Sequence, residues 1–203
     1  MMILRTSPSS PFGRQIQVAA DILQLSDRIR VEDVDLNDPH DTVRQQNPLG
    51  KIPVLINEDG MAIYDSRVIM EYLDFVAGGA KLVPIGDAKF PALTLHALAN
   101  GITDAAVTNV YETRFRPAEQ QSAERMAYQA DKIARGLKTL EAAPPVLKTA
   151  EDIQLGHVSL ACALSYLDLR FEGKWRETHP ALVKWLNSFD ALVPAFEATK
   201  VTG

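Results

Sequence analysis

A chain of 203 residues with 46% hydrophobic and 23% charged residues has the make-up of an ordinary globular protein of one or two domains, long enough to bury a sizeable core. Its formal net charge of -5 leaves no basic excess to neutralise a phosphate backbone, which argues against nucleic acid as the main partner. The single cysteine, Cys162, excludes an internal disulfide, a Cys-x-x-Cys redox pair and a cysteine-rich zinc site. His40, His96, His157 and His179 show no metal-ligand spacing, so no metal is expected. The start, MMILRTSPSSPFGRQ, turns polar too early for a secretory segment, and no stretch reaches about 18 uninterrupted apolar residues. A cytoplasmic chain that does not enter a membrane is expected.

Met2–Arg5 and Ile29–Leu36 read as short strands, with Phe12, Ile16, Ala20 and Leu23 at helical spacing between them, a β-α-β unit. Pro53–Asn57, a turn at Glu58-Asp59-Gly60, and Met61–Ile63 form a β-hairpin. Asp65 or Ser66 can cap the next helix. Val68, Ile69, Tyr72, Leu73 and Val76 give it an apolar face before Gly78-Gly79 ends it. Residues 80–91, with Pro84, Gly86 and Pro91, punctuate the chain as a linker. Beyond it only helical periods remain. Leu93–Tyr111 is alanine-rich, and Ser122–Leu140 places Met126, Ala130, Ile133, Leu137 and Leu140 on one inward face. Pro144-Pro145 interrupts the chain. Val158–Leu169 is so apolar that it belongs at the centre of a bundle, and Pro180–Phe196 supplies one or two more helices. Gln154 is a weak cap for the central helix, so Asp152 or His157 must satisfy that helix start in its place.

Residues 46–55 read Gln-Asn-Pro-Leu-Gly-Lys-Ile-Pro-Val-Leu, and residues 64–73 read Tyr-Asp-Ser-Arg-Val-Ile-Met-Glu-Tyr-Leu. Together they resemble the NPxGxxPVL and [ED]S-x-x-I-x-x-YL signatures of cytosolic glutathione transferases. Leu167-Asp168-Leu169-Arg170 through Trp175, His179-Pro180-Ala181-Leu182 and Trp185 are similar to the C-terminal helices of that family. The Ser-Pro-Phe start resembles its bacterial serine-type members. The resemblance implies an α/β plus all-α fold: a thioredoxin-like domain over residues 1–79, a linker over 80–86 and an all-helical domain over 87–203.

It also implies site roles. A cis Ile52-Pro53 bond leaves Ile52 free to pair, strand-like, with the cysteinyl moiety of glutathione. The helix start at Asp65-Ser66 meets the γ-glutamyl group: helix N–H groups and the Ser66 hydroxyl hold its carboxylate, and Asp65 faces its ammonium. Lys51 and His40 are candidates for the glycyl carboxylate, and Asp104 for the γ-glutamyl ammonium of the neighbouring subunit's ligand. A hydroxyl in the turn Thr6–Phe12 donates to the thiolate. Alignment with Cys-Pro-Phe relatives selects Ser10, alignment with other serine classes selects Ser9, and Ser10 is preferred. Both can also be read simply as caps of the helix beginning at Pro11. Tyr111, Arg114 and Phe115 are candidates to line the electrophile pocket, Arg114 favouring an anionic group. The missing cysteine in this turn argues against enzyme-disulfide chemistry, and Cys162 on the apolar central helix reads as a buried small hydrophobe.

The implied function is a homodimeric glutathione S-transferase. It activates the bound thiol for attack on a small hydrophobic electrophile in the cleft between domains, with glutathione as cosubstrate. A glutathione-binding stress or partner-binding protein, or a glutathione-dependent peroxidase or disulfide reductase, are the alternatives.

Overall fold

Strand β1 (Met2–Thr6) alternates buried Met2, Leu4 and Thr6 with partly exposed Ile3 and Arg5, the period of a sheet packed on one face. The computed structural model describes residues 1–201. It places β1 at the centre of a four-stranded sheet of order β2-β1-β3-β4. Strand β2 (Ile29–Asp33) runs parallel to β1, β3 (Val54–Ile56) runs antiparallel to it, and β4 (Ala62–Ile63) closes the hairpin with β3. Strand β2 ends at Asp33, short of the expected Leu36, although the Val34 N–H still donates to the Thr6 carbonyl at 2.8 Å. Its Arg30, Glu32 and Asp33 give an edge strand charges that discourage further pairing.

Helices α1 (Pro11–Ile22) and α3 (Ser66–Val76) pack together on the sheet. Leu4, Ile16, Val54, Leu55, Ile69 and Leu73 make that core essentially solvent-free. The chain approaches closely at Gly13, where an added Cβ would lie 1.8 Å from Thr6 Oγ1. The stretch expected to link the domains is partly built in. Leu82 and Val83 are buried, and buried Asp74 accepts the N–H groups of Lys81 and Leu82 at 3.0 and 2.6 Å.

The described chain forms two compact units, Met1–Ala92 with the stretch from Val193, and Leu93–Leu192. Where the sequence suggests a linker at 80–86, the division therefore falls inside α4 (Lys89–Phe115), and the last helix, α8 (Pro194–Ala198), joins the first unit. Buried Arg14 on α1 makes that connection. Its Nε donates to Thr199 Oγ1 at 3.2 Å, a terminal nitrogen donates to the Phe196 carbonyl, and the guanidinium lies 4.2 Å from the centre of the Phe196 ring.

The second unit surrounds α6 (Leu155–Phe171), in which every residue from Leu155 to Leu167, Cys162 included, is buried. Helix α7 (Pro180–Leu192) packs on it with Leu182 and Phe189. In α5 (Ala123–Ala142) the expected inward face is only partly buried: Leu137 and Leu140 are core, whereas Ala130 is exposed. The close approach is made instead by Gly136, where a Cβ would meet Ile102 at 2.8 Å. Buried His96 binds Ser159 Oγ at 2.7 Å and Asn100 at 3.0 Å, while Ser159 donates to the Leu155 carbonyl. The Ser-His-Asn grouping is thereby spent on bracing α4 against α6.

His157 supplies the cap that Gln154 lacks. Its Nδ1 accepts the Gln154 N–H at 3.1 Å and its Nε2 binds the Val146 carbonyl at 3.0 Å, which requires the neutral ring protonated on Nε2. Asp152 caps the preceding turn, accepting from Lys148 and Thr149. Burial holds the His157 imidazole below its ordinary value near 6.5. The unfolded chain then takes up the proton first, so this contribution to stability is full above pH 6.5 and is lost as the pH falls through the folded value. Thermal unfolding from pH 7.5 to 5.5 should show the stability advantage of wild type over His157→Gln shrinking with falling pH. A pH-independent gap would contradict this assignment.

Candidate functional site

The sheet register brings the candidate segments of the first unit to one edge. Arg5 pairs with Val54 and Leu55 with Ile63. The end of β1, the start of β3 and the end of β4 therefore share that edge. From it emerge the turn into α1, the Ile52-Pro53 segment and the start of α3. Residues far apart in sequence, Ser9 and Ser10, Lys51 to Pro53, and Asp65 with Ser66, thus surround two helix N-termini. A helix N-terminus offers unpaired N–H groups and partial positive charge, the features that hold anions.

Ser10 is the N-cap of α1. Its Oγ accepts the Gly13 N–H at 3.1 Å, and its own N–H donates to the Ser7 carbonyl at 3.0 Å. It is buried, while Ser9 is half-buried and does not cap the helix. Capping uses a lone pair and leaves the hydroxyl proton to give, so a cap and a donor to a ligand are compatible in one side chain.

The Ile52-Pro53 bond is cis. Ile52 lies just ahead of the β1–β3 ladder, which begins at Val54. Its side chain packs against the apolar group of Val34, Val43 and Val54. Buried Asn47 holds the loop in front of it: Nδ2 donates to the Lys51 carbonyl at 2.9 Å, and Oδ1 accepts the Leu49 N–H at 3.0 Å. The Lys51 side chain is exposed.

Asp65, not Ser66, is the N-cap of α3, accepting the Arg67 N–H at 3.1 Å. Ser66 is buried at the first helical position. His40 lies in an exposed turn, its N–H donating to Asp38 Oδ1 at 2.8 Å, and the helix after it, α2 (Val43–Gln46), is a single turn. The acidic run 33–41 favours local Asx turns over a longer helix.

The other candidates belong to the second unit. Asp104 is exposed on α4. Tyr111 and Phe115, also exposed, meet edge to face with ring centres 5.2 Å apart. Arg114 is exposed beside them. The sequence reading missed Asn47's bracing role, Arg14, and Tyr166 with Arg170 on α6. Asn47 stood in a quoted motif without a task. Arg14, four residues after Ser10, carried only the signal of a charge on an otherwise apolar helix face. Among the described residues no group of three or more His, Cys, Asp or Glu side chains is arranged to hold a metal, and no helix is long and apolar enough to cross a membrane.

Comparison with known proteins agrees with this geometry. Residues 9–75 match the family model for the glutathione S-transferase N-terminal domain. The chain is 36% identical over 190 residues to the uncharacterized GST-like protein YibF of Escherichia coli, covering 90% of this chain and 91% of that protein. A crystal structure of a glutathione transferase family member from Pseudomonas fluorescens, with bound glutathione, superposes with a TM-score of 0.91 at 36% identity over 100% of both chains. The same family member with bound S-(propanoic acid)-glutathione gives 0.87. A glutathione S-transferase from Methylobacillus flagellatus with glutathione bound gives 0.88, again at 36% identity and full coverage of both. With a thioredoxin-like α/β unit, an all-helical unit and this relationship along nearly its whole length, the chain belongs to the glutathione S-transferase family.

Proposed function

We propose that the protein is a serine-type glutathione S-transferase. The observation that carries the reading is the convergence of the capped start of α1, the cis Ile52-Pro53 segment and the capped start of α3 on one sheet edge. Relatives 36% identical hold glutathione, and one holds a conjugate with a propanoic acid group.

In this reading the cysteinyl backbone of glutathione pairs with Ile52. The γ-glutamyl carboxylate rests on the N–H groups and hydroxyl at Ser66, with its ammonium toward Asp65. Lys51, and His40 if its turn closes, meet the glycyl carboxylate. Ser10 donates its hydroxyl proton to the thiolate. Its place at the cap of α1 favours it over Ser9, because the positive helix end and the O–H act on the same sulfur. Lowering a thiol from its ordinary range by one to two units corresponds to about 1.4 to 3 kcal/mol. The thiolate then attacks an electrophilic carbon, with Tyr111, Arg114 and Phe115 receiving the electrophile. The exposed face of α4 that carries Asp104 is the candidate homodimer contact, and the cytoplasm is the proposed location.

Calorimetric titration with glutathione, beside conjugation of an aryl halide, tests these roles. Ser66→Ala should weaken binding about tenfold, the effect of one hydrogen bond to a charged group. Ser10→Ala should bind glutathione within about threefold of wild type but lose about tenfold to a hundredfold in kcat/KM. Ser10→Gly, which costs the cap only a few tenths of a kcal/mol, should match it and so separate chemistry from folding. Binding without turnover on any electrophile or peroxide would replace the transferase with a binding protein. Sedimentation showing a monomer at micromolar concentration would remove the dimer.

A further inference from the structure

Tyr166 on α6 is influenced by three other polar side chains of the second unit. Tyr166 and Arg170, one turn apart on α6, share a face, and the Arg170 guanidinium carbon lies 5.7 Å from the Tyr166 ring centre. The Tyr166 hydroxyl also feels the charge of Arg114 and the phenol of Tyr111 from the end of α4. Burial pushes the Tyr166 phenol up, so it stays protonated and able to donate, even with two guanidinium groups acting against that shift.

The acids that neighbour these arginines in sequence have other partners. Glu112 pairs with Arg116 and accepts the Ser122 N–H, Asp168 pairs with Arg176 and accepts Trp175 Nε1, and Glu172 pairs with Lys174. Among the described residues neither Arg114 nor Arg170 has a carboxylate partner, and Arg170 Nε is buried without any hydrogen-bond partner. A guanidinium fork matches a carboxylate in shape and charge. The edge-to-face pair Tyr111–Phe115 supplies apolar surface at the same end of α4 as Arg114.

We propose that Arg114 and Arg170, with the Tyr166 hydroxyl, form a carboxylate-binding site that selects electrophiles carrying an acidic group. The inference rests on the transferase reading above and names its substrate class. The chemical step is ordinary aromatic substitution: with a chloroarene, the glutathione sulfur forms the S–C bond, chloride leaves with the C–Cl electron pair, and the thiol proton passes to solvent. The carboxylate is held and does not react.

The test compares 4-chloro-3-nitrobenzoate with 4-chloro-3-nitrobenzamide, each rate taken relative to its uncatalysed reaction. Wild type should favour the acid by about tenfold or more in kcat/KM, the effect of a charge-assisted hydrogen bond. Arg170→Gln and Arg114→Gln should each bring that ratio toward one; Arg114 is exposed, so its substitution leaves the core intact. Titration with S-(2-carboxyethyl)glutathione and S-propylglutathione reads the same preference without turnover. An equal preference for acid and amide together with equal binding of the two conjugates, or a preference that survives both substitutions, overturns the carboxylate site. Turnover of neither chloroarene with a retained, Arg170-dependent preference between conjugates sinks the transferase reading and keeps the site. Failure to bind glutathione or either conjugate removes both.

Discussion

Gly13→Ala should cost about 3 kcal/mol or more, the upper range for overpacking a well-filled core. An added Cβ meets Thr6 Oγ1 at 1.8 Å, Thr6 Cβ at 2.8 Å and Thr6 Cγ2 at 3.1 Å. Rotating Thr6 only exchanges one crowding atom for another, and Thr6 is 1% exposed with its Oγ1 lacking a hydrogen-bond partner. The helix must therefore move off β1. Because Ser10 caps that helix through the Gly13 N–H, the shift also disturbs the turn from β1 into α1. Chemical denaturation of Gly13→Ala, Thr6→Ala and the double variant decides the matter. Thr6→Ala removes two of the three clashing atoms and an orphan hydroxyl, so the double variant should recover at least half of the loss. Additive losses would place the crowding elsewhere.

Arg14→Ala is the second large effect, about 3 kcal/mol, because breaking a buried charged hydrogen-bond network leaves its partners unsatisfied. The Phe196 carbonyl loses its guanidinium donor and the Phe196 ring its cation, while Thr199 Oγ1 keeps a bond to the Ala195 carbonyl at 2.8 Å and a longer one to the Phe196 carbonyl at 3.4 Å. Helix α8 spans only Pro194–Ala198 and cannot stand alone at that length. Hydrogen exchange should show the amides of 194–200 losing protection before those of α1. Arg14→Lys should rescue little, since one ammonium cannot serve a hydroxyl, a carbonyl and a ring face together. Unchanged protection of α8 in Arg14→Ala would show that apolar contacts alone hold it.

Local signals carried most of the fold. The hairpin was legible from Gly60 and its flanking apolar runs, and the central α6 from its unbroken apolar stretch. The motif around Asn47 to Leu55 and the Asp65-Ser66 helix start marked two segments of the candidate site, because each combines turn chemistry with a fixed spacing. What stayed hidden depended on contacts between distant segments. Ala130 is exposed and Gly136, to which no role was assigned, makes the tight point of α5, because that point is decided by Ile102 on another helix. Arg14 becomes an anchor only once residues near 196 return to α1. Tyr166 lay inside a helix read for its apolar residues, and Arg170 in a segment that carried the family resemblance but no role. Ser10 and Asp65 were resolved as caps by backbone geometry, which composition does not encode.

The first unit is completed by the stretch from Val193, made only after the whole of Leu93–Leu192 has been translated. At roughly 5–20 residues per second, the sheet and its two helices wait about 5–20 s for this stretch while the helical unit is being made. During that interval the face of α1 around Arg14 lacks the cover that residues 196–199 give it in the finished fold.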